Sequence, residues 1–202
     1  MQGMFGNDLT RQLSLEGRSV PLIVQRCCEA VEYRGFELEG IYRKTGPNTQ
    51  LLELTQRIDK GRLTGEGWPD LLGNDAIDVT SITSLLKKYL RELPVPLIPF
   101  DAYPSFVAVA DLPSLTERVE NLRALVDTLP SSHRDTLHFV MQHLYRVQQY
   151  TSMNLMTSKN LAVIFAPTLL RSNDADQDFF DMPAKNAVLS HLIDHALPIF
   201  GE

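Results

Sequence analysis

Apolar positions along this chain recur at intervals of three and four, the spacing of one face of an α-helix. Between Pro21 and Arg34, the residues Ile23, Val24, Cys27, Ala30 and Val31 share such a face. Pro21 suits a first helical turn, and Gly35 suits the position just past the end. Pro47 to Asp59 predicts a second helix, with Leu51, Leu52, Leu54, Thr55 and Ile58 turned inward and Gly61 following. Asp78, Thr80 and Ser81 offer N-cap side chains for a third. Its stripe runs through Ile82, Leu85, Leu86, Tyr89, Leu90 and Leu93, and Pro94 and Pro96 stop it. Ser114-Leu115-Thr116-Glu117 reads as a capping box. It opens a fourth helix that carries Val119, Leu122, Val126 and Leu129 before Pro130. A fifth runs from about Ser132 to Tyr150 on Leu137, Val140, Met141, Leu144 and Val147. A sixth begins near Thr157 and ends before Pro167, burying Leu161, Ala162, Ile164 and Phe165. The last starts around Pro183 and carries Val188, Leu189, Leu192, Ile193 and Leu197.

Alternation with period two is nearly absent, and no Asn-Gly or Asp-Gly hairpin signal occurs. Two stretches read as loops. Gly61 to Asp78 is rich in glycine and proline, and Arg171 to Asp181 is polar, acidic and expected to be mobile. The pattern predicts an all-α chain in which several helices pack around one core as a single domain, residues 1–202.

Composition refines this only a little. The chain has 202 residues, enough to bury a core without disulfides or metals. Its net charge of −6 argues against nucleic-acid binding by bulk electrostatics. The two cysteines, Cys27 and Cys28, are neighbours on a helix and point apart, so they make poor disulfide partners. A reduced, cytoplasmic protein is expected. No run of eighteen apolar residues offers a membrane span, and Met1-Gln2-Gly3-Met4 has no apolar signal core. The abrupt C-terminal end at Phe200-Gly201-Glu202 is expected of a fragment of a larger protein, though a complete small protein could end so too.

Familiar enzyme signatures are missing. There is no P-loop, no nucleophile elbow and no His-Glu-x-x-His helix. Gly65-Glu66-Gly67 lacks the strand and third glycine of a dinucleotide loop. His191 and His195 are four apart and could share a metal, but no third ligand stands at a sensible spacing, so they read as surface histidines. His138 and His143 lie on different faces and read as structural or exposed. No cofactor is called for, and a self-contained enzyme is disfavoured.

What remains is a loop and two helical edges. Gly35 to Pro47 holds three glycines and a terminal proline, which define a loop rather than leave it floppy. Ile41 and Tyr42 can pin it to the core, and Arg43 follows directly. Lys87 and Arg91 are four apart, flanking the apolar stripe of their helix. Spacing alone favours a solvated basic edge, tolerated because Glu92 is near. Asn160 falls near the third position after Thr157, where a plain helix-start residue would also do.

Taken together these segments carry a resemblance. Glu39-Gly40-Ile41-Tyr42-Arg43-Lys44-Thr45-Gly46 resembles the arginine-finger box of the Rho-type GTPase-activating (RhoGAP) domain. The run from Leu86 to Leu97, with Lys87 and Arg91, is similar to that family's second box, and Asn160 to Leu169 to its third. The likeness spans about residues 5–200, and the finger box is also similar to those of fungal multidomain members. It implies an all-α, RhoGAP-like helical bundle that stimulates GTP hydrolysis by a Rho, Rac or Cdc42-type small GTPase in its GTP-bound form. Arg43 would be the catalytic finger, inserted in trans. Lys87 and Arg91 would brace its loop and meet the partner's switch regions, and Asn160 would hydrogen-bond at the same surface. The resemblance implies a monomer that is not itself an enzyme. One position departs: Thr168 stands where many members carry Asn, and a hydroxyl offers fewer hydrogen bonds than an amide.

Overall fold

The computed structural model describes residues 3–61 and 63–201. Met1 and Gln2 of the N-terminal reading, Arg62 of the Gly61–Asp78 stretch, and Glu202 lie outside the described residues. Among the described residues the chain is all-α, without strands. In order it forms α1 (Leu9–Glu16), α2 (Leu22–Arg34), α3 (Asn48–Lys60), α4 (Val79–Glu92) and α5 (Tyr103–Ala108). A 3₁₀ turn (Val109–Asp111) leads to α6 (Leu115–Asp127), α7 (Ser131–Gln148), α8 (Thr151–Asn154) and α9 (Ser158–Leu169). The chain finishes with α10 (Ala175–Phe180), α11 (Met182–Asp194) and α12 (Ala196–Phe200).

Helix starts follow local chemistry. Asp78 caps α4 by accepting from Thr80 N–H at 2.7 Å. Ser114 and Glu117 form the reciprocal capping box of α6. Thr157 Oγ1 accepts from Asn160 N–H at 3.2 Å and opens α9. The apolar stripes then decide the packing: α9 lies along α11, and α2 along α4. Helix α4 also touches α3 and α9, so it stands at the centre of one half of the bundle. Ile82, Leu85, Leu86, Tyr89 and Leu90 of α4 join Ile23, Val24 and Phe165 in one continuous core.

Some sequence expectations need correcting. Helix α9 does not end before Pro167; it continues to Leu169. A proline inside a helix costs about 3 kcal/mol. Burial of Leu169 and Leu170 together offsets that, since each fully buried leucine contributes about 1.5–3 kcal/mol. Arg171–Asp181 is not simply a loop. Asp174 caps α10 within it, and fully buried Lys185 binds Asp178 Oδ1 at 2.7 Å. Leu52 is 59% exposed, because α3 is covered chiefly by α4 and needs only a narrow stripe. Leu197 is 38% exposed, because the backbone break at His195 resets the helical phase. Gly35 is not left-handed (φ −127°); a Cβ there would sit 2.7 Å from Val79 Cγ1, so close packing demands the glycine. The short α1 and α5 carried too little periodicity to be predicted.

Gly46 joins the Gly35–Pro47 loop to α4. A Cβ on it would lie 2.4 Å from Ser81 N, against backbone that cannot yield. Gly46→Ala should therefore lower unfolding stability by about 1–3 kcal/mol, the usual cost of overpacking. Urea denaturation checks this as a lower midpoint at an unchanged m-value.

Candidate functional site

The loop from Gly35 to Pro47 is a stack of turns. Ile41 N–H donates to Leu38 O at 3.0 Å, and Arg43 and Lys44 N–H both donate to Gly40 O at 2.9 Å. Gly40 has φ +71° and Tyr42 has φ +68°. For a bulky residue like Tyr42 the left-handed region is strained. Such strain costs about 1–3 kcal/mol and persists only where the surroundings over-determine it.

They do so here. The Tyr42 side chain is fully buried, edge-on to Phe165 with ring centroids 5.0 Å apart. Its hydroxyl lies 2.5 Å from His143 Nε2. Lys87 Nζ donates to Tyr42 O at 2.5 Å. Gly40 N–H donates to Asn154 O at 2.8 Å, and Gly46 N–H to Ser84 Oγ at 3.1 Å. Phe36 stacks on Tyr150 at 4.5 Å. The loop is thus held by α4, by α8 and by the end of α7.

Arg43, between these anchors, is exposed. Its guanidinium folds over Gly40, where a Cβ would sit 3.2 Å from Nη2, and it has no hydrogen-bond or ion-pair partner among the described residues. Lys87 is half-buried; burial first, then the charge of Arg91, pulls its ammonium below the usual lysine range. The structure therefore brings Lys87 to the loop. It leaves the Arg91 side chain exposed one turn away, with no hydrogen bond to the loop; only Arg91 O is engaged, by Arg171 Nη1 at 2.9 Å. Asn160 Nδ2 donates to Leu155 O at 3.0 Å. Asn154 O and Leu155 O are consecutive carbonyls, one holding Gly40 and the other Asn160, so Asn160 and the Arg43 loop hang on one short strap. Thr168 faces inward, 7% exposed.

Sequence reasoning missed what lies behind the loop. His143 Nδ1 is 2.7 Å from Glu32 Oε1, which also accepts from Arg146 Nη2 at 2.6 Å. Burial pulls the His143 imidazole below its ordinary range, and Glu32 opposes this only partly. Burial alone would raise Glu32, but hydrogen bonds from His143 and Arg146 hold its carboxyl below the usual value. A neutral imidazole has one donor. With Glu32 ionised, that donor is Nδ1–H, so Nε2 accepts from the Tyr42 hydroxyl. The signal was present: position 143 falls three after Val140 and four before Val147, on the apolar stripe. Asn154 was also missed. Fully buried, it donates to Phe36 O at 2.8 Å and Val147 O at 2.9 Å, and accepts from Met156 N–H at 2.8 Å.

Fold and site together define a helical domain built to present one arginine from a braced loop. The RhoGAP domain model matches residues 21–174. The probable Rho-type GTPase-activating protein 4 of Schizosaccharomyces pombe is 35% identical over 90% of this chain. N-chimaerin of Rattus norvegicus is 36% identical over 86% of it. The chain spans 19% of the first protein's length and 51% of the second's. The crystal structure of human Rho GTPase activating protein 15 superposes with a TM-score of 0.89 at 30% identity, covering 99% of this chain and 93% of that one. The chain belongs to the RhoGAP domain family.

The buried pair makes stability depend on pH. Above about 6.5, His143 is neutral both folded and unfolded. Below that the unfolded chain takes up the proton first, because the folded value is depressed, and stability is lost. Glu32 works in the same direction at lower pH, since its stabilisation is present above the unfolded carboxylate value and disappears as pH falls through it. His191, also pulled down by burial, adds to the first window. Urea midpoints should fall between pH 7.5 and 5.5, and His143→Gln should flatten that fall. A wild-type midpoint that is constant over the interval would contradict the assignment.

Proposed function

We propose that this domain accelerates GTP hydrolysis by a Rho-family small GTPase, with Arg43 entering the partner's nucleotide site. The carrying observation is an exposed guanidinium on a loop whose backbone is held by Lys87 and Asn154 and whose Tyr42 side chain is held by His143. Membership of the RhoGAP family supports the choice of partner.

Phosphoryl transfer explains why such a loop suffices. In the transition state, negative charge spreads over the transferred phosphoryl and the leaving oxygen. The partner binds nucleotide and metal and orients water; the missing element is a cation at the developing charge. Arginine is permanently charged and presents a planar fork of donors. It helps only if it arrives already oriented, because a misplacement of about 1 Å can cost on the order of 10²-fold. The Tyr42 anchor and the Lys87 brace meet that demand. Among the described residues the guanidinium has no ion pair to break before it leaves Gly40. Lys87 holds the loop, while exposed Arg91 and the outward amide oxygen of Asn160 meet the partner's surface. The domain acts as a monomer on the GTP-bound form, in the cytoplasm, and supplies a catalytic side chain without being an enzyme alone.

Arg43→Ala should lower stimulated hydrolysis by about 10³–10⁵-fold, the usual worth of a finger given in trans. Affinity for the GTP-loaded partner should change only a few-fold. Single-turnover hydrolysis with Rho, Rac, Cdc42 and Ras-type proteins checks both. Full stimulation by the variant sinks the finger assignment, and stimulation of the Ras type alone sinks the choice of partner. A domain that binds without stimulating would be a docking module.

A further inference from the structure

Behind the loop lies a chain of buried and half-buried polar groups that the proposed reaction does not use directly. Arg146 of α7 and His143, one turn earlier, converge on Glu32 of α2. On its other edge His143 takes the Tyr42 hydroxyl at 2.5 Å. His143 and Tyr42 are both fully buried. The remaining titratable groups nearby are Cys27 and Cys28 of α2, whose thiols burial keeps protonated, and Lys87 of α4, on the Tyr42 carbonyl. From α9 the neighbour is Phe165, which carries no charge.

We infer that His143, held by Glu32 and Arg146, is a positioning residue for Arg43: it fixes the Tyr42 ring, and with it the left-handed backbone that aims the next residue. The inference rests on the proposed finger role of Arg43. Two facts carry it. Tyr42 is bulky yet left-handed (φ +68°), so something must hold it there. Its carbonyl is held by Lys87 and its side chain by His143, so the peptide leading into Arg43 is fixed at both ends. Removing the imidazole frees the phenol and leaves Glu32 with Arg146 alone. The ring can then turn, and the peptide with it. The hydrogen-bond order also carries information. Glu32 takes the Nδ1 proton, so Nε2 must be bare to receive the phenol. Protonation would turn Nε2 into a donor, reverse the phenol and leave its hydrogen without a partner in a buried place.

The test uses His143→Leu, His143→Gln and Tyr42→Phe in the whole chain. Glutamine can accept from the phenol and donate to Glu32 but cannot titrate. His143→Leu should cut the maximal stimulated rate about 10–100-fold, while half-maximal partner concentration moves less than about threefold, consistent with an ångström-scale loss of aim. His143→Gln should restore most of the rate at pH 7.5. Amide exchange at Arg43 and Lys44, both bonded to Gly40 O, should speed up in the leucine variant and not in the glutamine variant. If His143→Leu does not fold, Tyr42→Phe removes the hydroxyl alone and should still cost about 3–10-fold in rate at unchanged affinity. A folded leucine variant with wild-type rate and exchange overturns the inference. So does a phenylalanine variant with wild-type rate and exchange, or a glutamine variant as slow as the leucine variant. If wild type stimulates no Rho-type partner, the finger role itself fails; the exchange data then still report whether His143 holds the loop.

Discussion

Tyr42 couples two demands that ordinarily conflict: burial of a large aromatic ring, and exposure of the cation next to it in sequence. A chain leaving a helix could satisfy both with an extended segment, since neighbours in a strand face opposite ways. That would leave the arginine at the end of a pliant stretch. Here the chain instead takes a left-handed step at Tyr42, between turns closed on Gly40 O. The step is strained. Burial of the ring offsets it, as does a charge-assisted bond from Lys87 to the strained residue's own carbonyl, worth about 1.5–3 kcal/mol. Strain and brace fall on one residue, so the geometry of Arg43 follows from how well Tyr42 is held.

The bundle serves that residue from several directions. Helix α4 sends its stripe into the core and lifts Lys87 from the edge of that stripe to the loop. Its position is fixed at the far end too. Arg171, arriving from the end of α9, donates to Arg91 O and Leu93 O, carbonyls the helix cannot satisfy itself. A cation there also suits the negative end of the helix dipole. The strap after α8 completes the frame. Leu155 is itself left-handed (φ +61°), held by a backbone bond to Thr151 O, while the side chain of Asn154 ties three backbone groups together. Arg43, Lys87 and Asn160 are therefore linked through main-chain atoms of Tyr42, Asn154 and Leu155, while the Arg91 side chain stands apart.

That route explains what was legible in the sequence. Periodicity found the long helices because their stripes are wide, and it found the N-caps of α4, α6 and α9 because capping is local chemistry. Arg43, Lys87 and Asn160 stood out through the boxes that carry the resemblance. What was missed involves partners far apart in sequence. Glu32 and His143 are 111 residues apart, and Asn154 and Phe36 118. Nothing in the loop announces that a histidine on another helix receives its tyrosine. Pro167 misled for a related reason: local propensity marks a stop, but the packing of Leu169 against the core carries α9 past it. Lys87 and Arg91 looked equivalent by spacing, yet one is half-buried on the loop and the other exposed. A one-turn separation on a helix fixes the face but not the depth.

An exposed cation without an internal partner is cheap for the free domain, because water solvates it. Its value arises when a partner excludes that water, since the field of a charge grows as the local dielectric falls. A stabilising ion pair within this chain would weaken the device, because it would have to break before docking. The chain instead spends its buried hydrogen bonds one residue away, on Tyr42, where they stiffen the backbone without neutralising the side chain. In the proposed reaction, orientation is thus prepared in the activator while the electrostatic gain is realised only in the complex. That division follows from the placement of charges in the free domain: Glu32 lies behind Tyr42, paired with His143 and Arg146, and not with Arg43.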